Sequence, residues 1–341
     1  ENIKINCFGE DNMSIFLFSA RLGSIKIIKY LLKKGYDINE KDSVFRKNAL
    51  MVAIENGHIN VEFLLIKSGI NIYEKDTWNK EAFMYAIENG DKIGMELLIK
   101  KGSDVNQKGF LNKTALIVAS ENGYKNIVEL LLNLNVSINE SDNYRKTALM
   151  YAAEKGHKDI VELLLKLEEK VNLDEISYLK KTALVFAVEN GHKEIVELLL
   201  KNGAEVNKKV YGDKIALIVA AEKGHAEIVK ILLENKSNVD EKDNQDTSAL
   251  FYAIQKGYTD IVKLILEYGG DINQKNNDGK TGLMISAKNG NKDIVELLLI
   301  KGANVEEKDN EGKTAIDYAK TVEIKQMLLK ALAEQKNKDK S

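Results

Sequence analysis

Proline is absent from the 341-residue sequence, and cysteine and tryptophan occur once each. Without proline, no helix is interrupted by a missing amide hydrogen, and no Pro-rich linker can separate domains. The single Cys7 excludes an internal disulfide and a cysteine-based zinc cluster. An excess of one charge sign is lacking too, because 50 basic residues face 52 acidic ones and the formal net charge is −2. The balance argues against a nucleic acid or a membrane as partner.

Long apolar runs are also missing. Runs such as 49–54 are far shorter than the roughly 18 residues that a membrane-spanning helix needs. The composition, with 44% hydrophobic and 30% charged residues, is typical of a folded protein rather than a disordered one. The sequence does not determine the cellular compartment. A cytoplasmic location is favoured, and export after loss of an N-terminal signal is the alternative, because the chain begins at Glu1 rather than methionine.

A repeat organises the sequence. A glycine recurs every 33 to 35 residues, at Gly23, Gly57, Gly90, Gly123, Gly156, Gly191, Gly224, Gly257 and Gly290. A fixed period of this length is the signature of stacked supersecondary units, each of which buries its apolar face against its neighbours.

The unit 146–172 shows why such a repeat folds. Thr147 can cap a short first helix, and Gly156 suits the turn after it, where positive φ is favoured. A second helix follows, with Ile160 and Leu164 on one face. Each helix is too short to be stable alone, so its apolar face must pack on the adjacent unit.

The segment K-T-A-L-M-Y-A-A-E-K-G-H-K-D-I-V-E-L-L-L resembles the ankyrin repeat. The resemblance implies an all-α solenoid of about ten stacked helix-turn-helix units with protruding β-hairpin loops. We expect a partial hairpin of a preceding repeat at 1–13 and a single ankyrin domain at 14–333. Its tenth unit is a shortened C-terminal cap, and a polar tail follows at 334–341. Alanine replaces the family's proline at the helix start, which removes some preorganisation.

Catalytic chemistry is not visible. Each of the four histidines, His58, His157, His192 and His225, follows its unit's turn glycine, so we interpret them as part of the repeat rather than as metal ligands or bases. Paired carboxylates are common, but we place them on solvated helix faces. No phosphate-binding loop, zinc-protease motif or nucleophile motif occurs. We therefore predict no catalytic residue, cofactor or metal site, and no enzyme.

Aromatic residues at the hairpins are the sharpest functional signal. Three or four residues before the first helix of successive units stand Phe45, Trp78, Phe110 with Leu111, Tyr144, Tyr178 with Leu179, and Tyr211. In the last units the same place is polar, as in Asn244 and Gln245. A polar hairpin needs no aromatic residue, and aromatic residues dominate interface energetics. The hypothesis is partner contact; the alternative is that each ring covers the neighbouring hairpin.

Two charge ladders run beside these aromatic residues. The acidic one comprises Glu55, Glu88, Glu121, Glu154, Glu189 and Glu222. The basic one comprises Lys47, Lys80, Lys113, Lys146, Lys181 and Lys214. Glu88, Glu121 and Glu154 are candidates for contact with a basic partner. The preferred interpretation is that the two ladders neutralise each other.

We therefore predict a monomeric, non-catalytic scaffold that binds a partner protein through the concave face and hairpin tips. One alternative is a ligand-binding or oligonucleotide-binding ankyrin domain that uses lysines and stacking on Trp78, Phe110 and Tyr144; steep salt dependence would distinguish it. Another is the recognition arm of a larger multidomain protein. The partner's identity is not readable from the sequence.

Overall fold

The computed structural model describes residues 13–167 and 171–338. Cys7 and all but the last residue of the predicted partial hairpin at 1–13 lie outside the described residues. The chain divides into two compact units, 1–172 and 173–341. In each unit the described segments form helix pairs joined by hairpin loops, as the ankyrin resemblance implies.

The first unit holds repeats 1 to 5. Its first helices are α1 (Ile15–Arg21), α3 (Ala49–Glu55), α5 (Ala82–Glu88), α7 (Ala115–Asn122) and α9 (Ala148–Lys155). Its second helices are α2 (Ile25–Lys33), α4 (Ile59–Lys67), α6 (Lys92–Lys100), α8 (Lys125–Asn133) and α10 (Lys158–Leu165). Within this unit, neighbouring first helices pack on each other, and each first helix packs on its own second helix.

The second unit holds repeats 6 to 10 and has the same arrangement. Its first helices are α11 (Ala183–Glu189), α13 (Ala216–Lys223), α15 (Ala249–Lys256), α17 (Gly282–Asn289) and α19 (Ala315–Tyr318). Its second helices are α12 (Lys193–Lys201), α14 (Ala226–Glu234), α16 (Thr259–Glu267), α18 (Lys292–Ile300) and α20 (Val322–Lys338). The last repeat is shortened at α19 and extended at α20, so the predicted boundary at 333 falls inside a helix.

Capping and burial explain the short first helices. The Thr147 hydroxyl accepts a hydrogen bond from the amide of Met150 at 3.3 Å, and Gly156 ends α9 with φ +79°. Ala148 to Ala153 are all buried, and α7 and α10 pack against α9. On the second helix α10, Ile160 and Leu164 are buried. Helices this short are stabilised by packing rather than by intrinsic propensity.

The turn glycines also make room for the next repeat. A Cβ atom at Gly23 would lie 2.7 Å from the His58 ring, and His58 Nε2 lies 2.8 Å from the carbonyl oxygen of Arg21 at the end of α1. His157 contacts the carbonyl oxygen of Glu121 in the same way, at 3.1 Å. These histidines thus satisfy a helix end in the preceding repeat, which supports the structural interpretation of the Gly-His pairs.

Candidate binding surface

A carboxylate sets the hairpin turns that carry Trp78 and Tyr144 in the first unit. Asp76 Oδ1 accepts hydrogen bonds from the amides of Trp78 and Lys80, both at 2.8 Å. Asp142 Oδ1 does the same for Tyr144 at 2.8 Å and Lys146 at 2.9 Å. This side-chain-to-backbone bonding fixes the loop locally. The aromatic residue stands two positions after the aspartate, and the turn therefore holds it at the tip.

The aromatic stripe is the set of tip residues at these hairpins. Its members are Phe45, Trp78, Phe110 and Tyr144 in the first unit, and Tyr178 with Leu179 and Tyr211 in the second. Their exposed fractions run from 37% for Trp78 to 71% for Tyr211. Leu111, next to Phe110, is half-buried with φ +56°. The predicted contact residues therefore do reach the surface, apart from Leu111, which is only half exposed.

Within the first unit, neighbouring tips support one another. The Phe45 and Trp78 rings stack with 5.1 Å between centroids and 21° between planes. The amide of Thr77 donates to the carbonyl oxygen of Phe45 at 3.0 Å, and that of Asn143 donates to Leu111 at 2.9 Å. At Phe45 and Trp78 each ring covers its neighbour, as the alternative interpretation expected, and each ring also stays partly exposed, so partner contact there remains a prediction.

The charge ladders pair within each repeat. Each lysine after a hairpin tip forms an ion pair with the glutamate eight residues later, for example Lys80 with Glu88 at 2.8 Å and Lys214 with Glu222 at 2.6 Å. The other pairs are Lys47 with Glu55, Lys113 with Glu121, Lys146 with Glu154, and Lys181 with Glu189. The mutual neutralisation expected from the sequence is thus present.

Tyrosines complete the base of several hairpins. The Tyr85 hydroxyl donates to Asp76 Oδ2 at 2.7 Å, and Lys80 Nζ lies 4.2 Å from the centroid of the same ring. Tyr151 and Asp142 repeat the bond at 2.6 Å. Burial and the adjacent aspartate raise the pKa of Tyr85 and of Tyr151 above the usual range, so both hydroxyls stay protonated and donate. The base of the hairpin below each of these aromatic tips, which we call its stem, consequently has a defined geometry.

One carboxylate cluster departs from the expected solvated faces. Glu62 on α4 is 1% exposed, and it stands where the second helices of most other repeats carry a buried valine, such as Val128. The carboxyl groups of Glu62 and Asp91 lie over Gly94, where a Cβ atom would be 2.8 Å from Glu62 Oε2. Burial first, and then the Asp91 carboxylate, raise the pKa of Glu62 to about 8. The placement of all paired carboxylates on solvated faces is therefore wrong for Glu62.

Two kinds of site do not appear in the described part of the chain. No group of three or more histidine, cysteine, aspartate or glutamate side chains is arranged to hold a metal ion within residues 13–167 and 171–338. No helix among these residues is long and apolar enough to cross a membrane.

Comparison with known proteins gives a family. A family model described as ankyrin repeats (three copies) matches at 15–109, 50–142, 83–175, 136–210, 184–276 and 269–340. A search of curated proteins gives no match. Among solved structures, the crystal structure of the human ASB11 ankyrin repeat domain is similar, with a TM-score of 0.56 and 26% identity. The match covers 64% of this chain and 98% of that domain. Matches of the family model reach from residue 15 to residue 340, and the chain belongs to the ankyrin repeat family.

Proposed function

We propose that this chain is a non-catalytic scaffold that binds a partner protein through the aromatic stripe. Ankyrin repeats are generally modules for protein–protein interaction, which gives the class of function. The observation that carries the finer proposal is the exposure of an aromatic residue at successive hairpin tips, each on a stem fixed by hydrogen bonds and ion pairs. Preorganised aromatic residues make interfaces tight because little conformational freedom is lost on binding.

The ion-pair ladder favours a protein over an oligonucleotide. A phosphate-binding surface needs lysines that are free to neutralise phosphates. Here the lysine next to each aromatic tip already pairs with a glutamate, as Lys80 does with Glu88 and Lys113 with Glu121. Glu88, Glu121 and Glu154 are therefore proposed to frame the aromatic contacts rather than to attract a basic partner by themselves.

Site-specific photo-crosslinking tests the proposal. A photoreactive phenylalanine analogue is placed at Tyr144 or Tyr178, and, as a matched control, at Gln245, which occupies the corresponding tip of a polar hairpin. We expect one protein from source extract to crosslink at the two aromatic positions and not at the control. Identical products at all three positions, or none at the aromatic ones, would contradict binding through the stripe.

Alanine substitutions measure the energy of the contact. With the crosslinked protein purified, the variant W78A/Y144A/Y178A should bind at least about thirtyfold more weakly, because a single aromatic hot spot is worth roughly 2 kcal/mol. The control variant Q245A/E311A changes two polar tips and should bind as the unmodified chain does. Equal affinity of both variants, measured by calorimetry on folded protein, would exclude the stripe. Capture of an oligonucleotide instead, with steep salt dependence, would favour the nucleic-acid alternative.

A further inference from the structure

A second surface lies on the second helices of the first three repeats. Helices α2, α4 and α6 pack side by side, and their exposed side carries a strong positive charge. Within the three helices stand six lysines, all exposed, against two glutamates, of which Glu62 is buried. We call this surface the basic face. Its lysines, together with two that directly follow α2 and α6, are Lys26, Lys29, Lys33, Lys34, Lys67, Lys92, Lys100 and Lys101.

The lysines of the basic face are largely unpaired. Lys92 lies 3.9 Å from Glu96, an ion pair between exposed side chains. Within the part of the chain that the structure describes, no other lysine of the basic face has an acidic side chain within 4.0 Å. This is unlike the hairpin ladders, where every lysine has its glutamate. Unpaired like charges on adjacent helices repel each other, so the fold gains nothing from them.

The floor between these lysines is apolar. A groove of about 730 Å³ runs between the three helices, and Ile25, Phe63, Leu64 and Leu97 line it. Phe63 is 45% exposed, although the equivalent position in other repeats is charged, for example Glu129. Lys29, Lys67 and Lys101 stand at the groove. The groove is open to solvent, and Asn60 and Ser68 also line it, so it suits the apolar side chains of an amphipathic segment rather than an enclosed small molecule.

We propose that the basic face is a docking site for an acidic amphipathic segment of a partner protein. The lysines complement carboxylates, and the groove takes the segment's apolar side chains. The chemistry of the floor favours this partner over a nucleic acid, because Phe63 is the one aromatic residue that lines the groove and no arginine stands on α2, α4 or α6. It favours a segment over a membrane because the apolar residues line a concave groove rather than a protruding ridge. The site is separate from the aromatic stripe and does not depend on it.

A displayed peptide library tests this while the partner is still unidentified. Random peptides of about fifteen residues, roughly four helical turns, are selected against the full chain. We expect enriched sequences to be rich in aspartate and glutamate, with apolar residues three and four positions apart. Enrichment of neutral or basic peptides would overturn the proposal. Binding of the chain to phosphatidylserine vesicles or to single-stranded DNA, with no acidic peptide enriched, would also overturn it.

Charge reversal then locates the site. For an enriched peptide carrying a fluorophore, the variant K29E/K67E/K101E should lower the affinity at least about tenfold, since 1.4 kcal/mol is a factor of ten and like charges would now face each other. Added salt should weaken binding to the unmodified chain. The matched control K230E/K263E/K301E reverses three exposed lysines on and after α14, α16 and α18. It should leave the affinity within about twofold, well under 1 kcal/mol.

We expect K29E/K67E/K101E to fold as stably as the unmodified chain, because its three reversed lysines are exposed and have no acidic partner among the described residues. A circular dichroism spectrum confirms folding before each titration. Equal losses in both variants would show general electrostatics rather than a site, and would overturn the proposal. Because Trp78, Tyr144 and Tyr178 lie on hairpin tips and none of them lines the groove, W78A/Y144A/Y178A should leave peptide affinity unchanged.

Discussion

Repeats 1 to 3 and repeats 7 to 9 have the same arrangement of helices and hairpins, yet they differ in the charges on their second helices, in one buried position and at their hairpin tips. Helices α2, α4 and α6 contain six lysines and two glutamates, whereas α14, α16 and α18 contain three lysines and six acidic residues. The buried position of Glu62 is held by Val229, Val262 and Val295 in the later repeats. The hairpin tips also change, from Phe45 and Trp78 in repeats 2 and 3 to polar residues in repeats 8 and 9, although repeat 7 keeps the aromatic Tyr211.

The two groups of repeats share most of the residues that stabilise the fold and differ mainly in the residues that are exposed. Positions that pack one repeat on the next keep their residue type in both regions, as Ala53 and Ala253 do. The lysine-rich second helices and the buried acid belong to the early repeats, whereas the aromatic tips continue as far as Tyr211 in repeat 7. Repeats 8 and 9 therefore serve as internal controls, since they have the same arrangement of helices without these features.

The largest expected effect comes from moving the buried acid into a regular repeat. Val262 occupies in repeat 8 the position that Glu62 occupies in repeat 2, but the next repeat carries the buried Ile294 at the position of Gly94. We expect Val262→Glu to lower the free energy of unfolding by about 3–5 kcal/mol, because a buried carboxylate lacks both space and a partner. Denaturation by urea measures the change.

Val262→Met is the control for size. Repeat 3 carries the buried Met95 at this position, so a methionine should cost less than about 1.5 kcal/mol. Similar losses for the glutamate and methionine variants would mean that shape rather than charge matters here. Tolerance of the glutamate within about 1 kcal/mol would contradict the role assigned to Gly94.

An intermediate effect concerns pH. The pKa of Glu62 is raised from 4.5 to about 8 in the folded chain. The folded state then holds a proton that the unfolded state releases, so the contribution of Glu62 to stability is fully present below pH 4.5 and is lost as the pH rises through about 8. The slope is at most about 1.4 kcal/mol per pH unit.

Glu62→Gln isolates this group, because glutamine keeps the shape and cannot ionise. The stability of the native chain should fall relative to the variant between pH 4.5 and about 8, and the difference should level off above that range. Asp91 is the charged neighbour that contributes to the shift, so the experiment is repeated with Asp91→Asn in both backgrounds. Parallel pH profiles for native and E62Q protein would show that Glu62 does not titrate in this window.

The smallest expected effect compares two tyrosines. Tyr85 is 3% exposed and bonds to Asp76, whereas Tyr252 is half-buried and bonds to Asp243 at 2.8 Å. Tyr85→Phe should cost about 2 kcal/mol and Tyr252→Phe about 1 kcal/mol, since Asp76 and Asp243 are equally buried but water can replace a hydroxyl more easily beside the half-buried Tyr252. Urea titration gives both values, and amide hydrogen exchange at Trp78 should accelerate in the first variant only. A reversed order would contradict the effect of burial.

Much of the fold could be predicted from the sequence because repetition averages out local ambiguity. The cap at Thr147, the left-handed Gly156 and the Lys80–Glu88 pairing all follow from residue types at fixed offsets. Exposure of Trp78 and Tyr144 follows in the same way from their position beside a turn.

Features that depend on two repeats at once were harder to predict. Glu62 belongs to a helix with apolar residues on several sides, so periodicity alone does not reveal its burial. Its burial can be read only from an alignment of the repeats. Glutamate at position 62 replaces the valine of most other repeats, and glycine at position 94 replaces their isoleucine or valine. The basic face was hidden for a similar reason, because the net charge of −2 sums opposite charges from distant repeats.

The ion pair between hairpin and helix has one more consequence. Lys80 leaves its hairpin and Glu88 ends α5, so the bond joins two parts of a single repeat and requires nothing from the next one. The ion pair therefore anchors the base of each hairpin within its own repeat, whereas the tips themselves also touch, as Phe45 and Trp78 do. A substitution at one tip should leave the base of every hairpin in place, so the proposed contact surface can change one repeat at a time without loss of the fold.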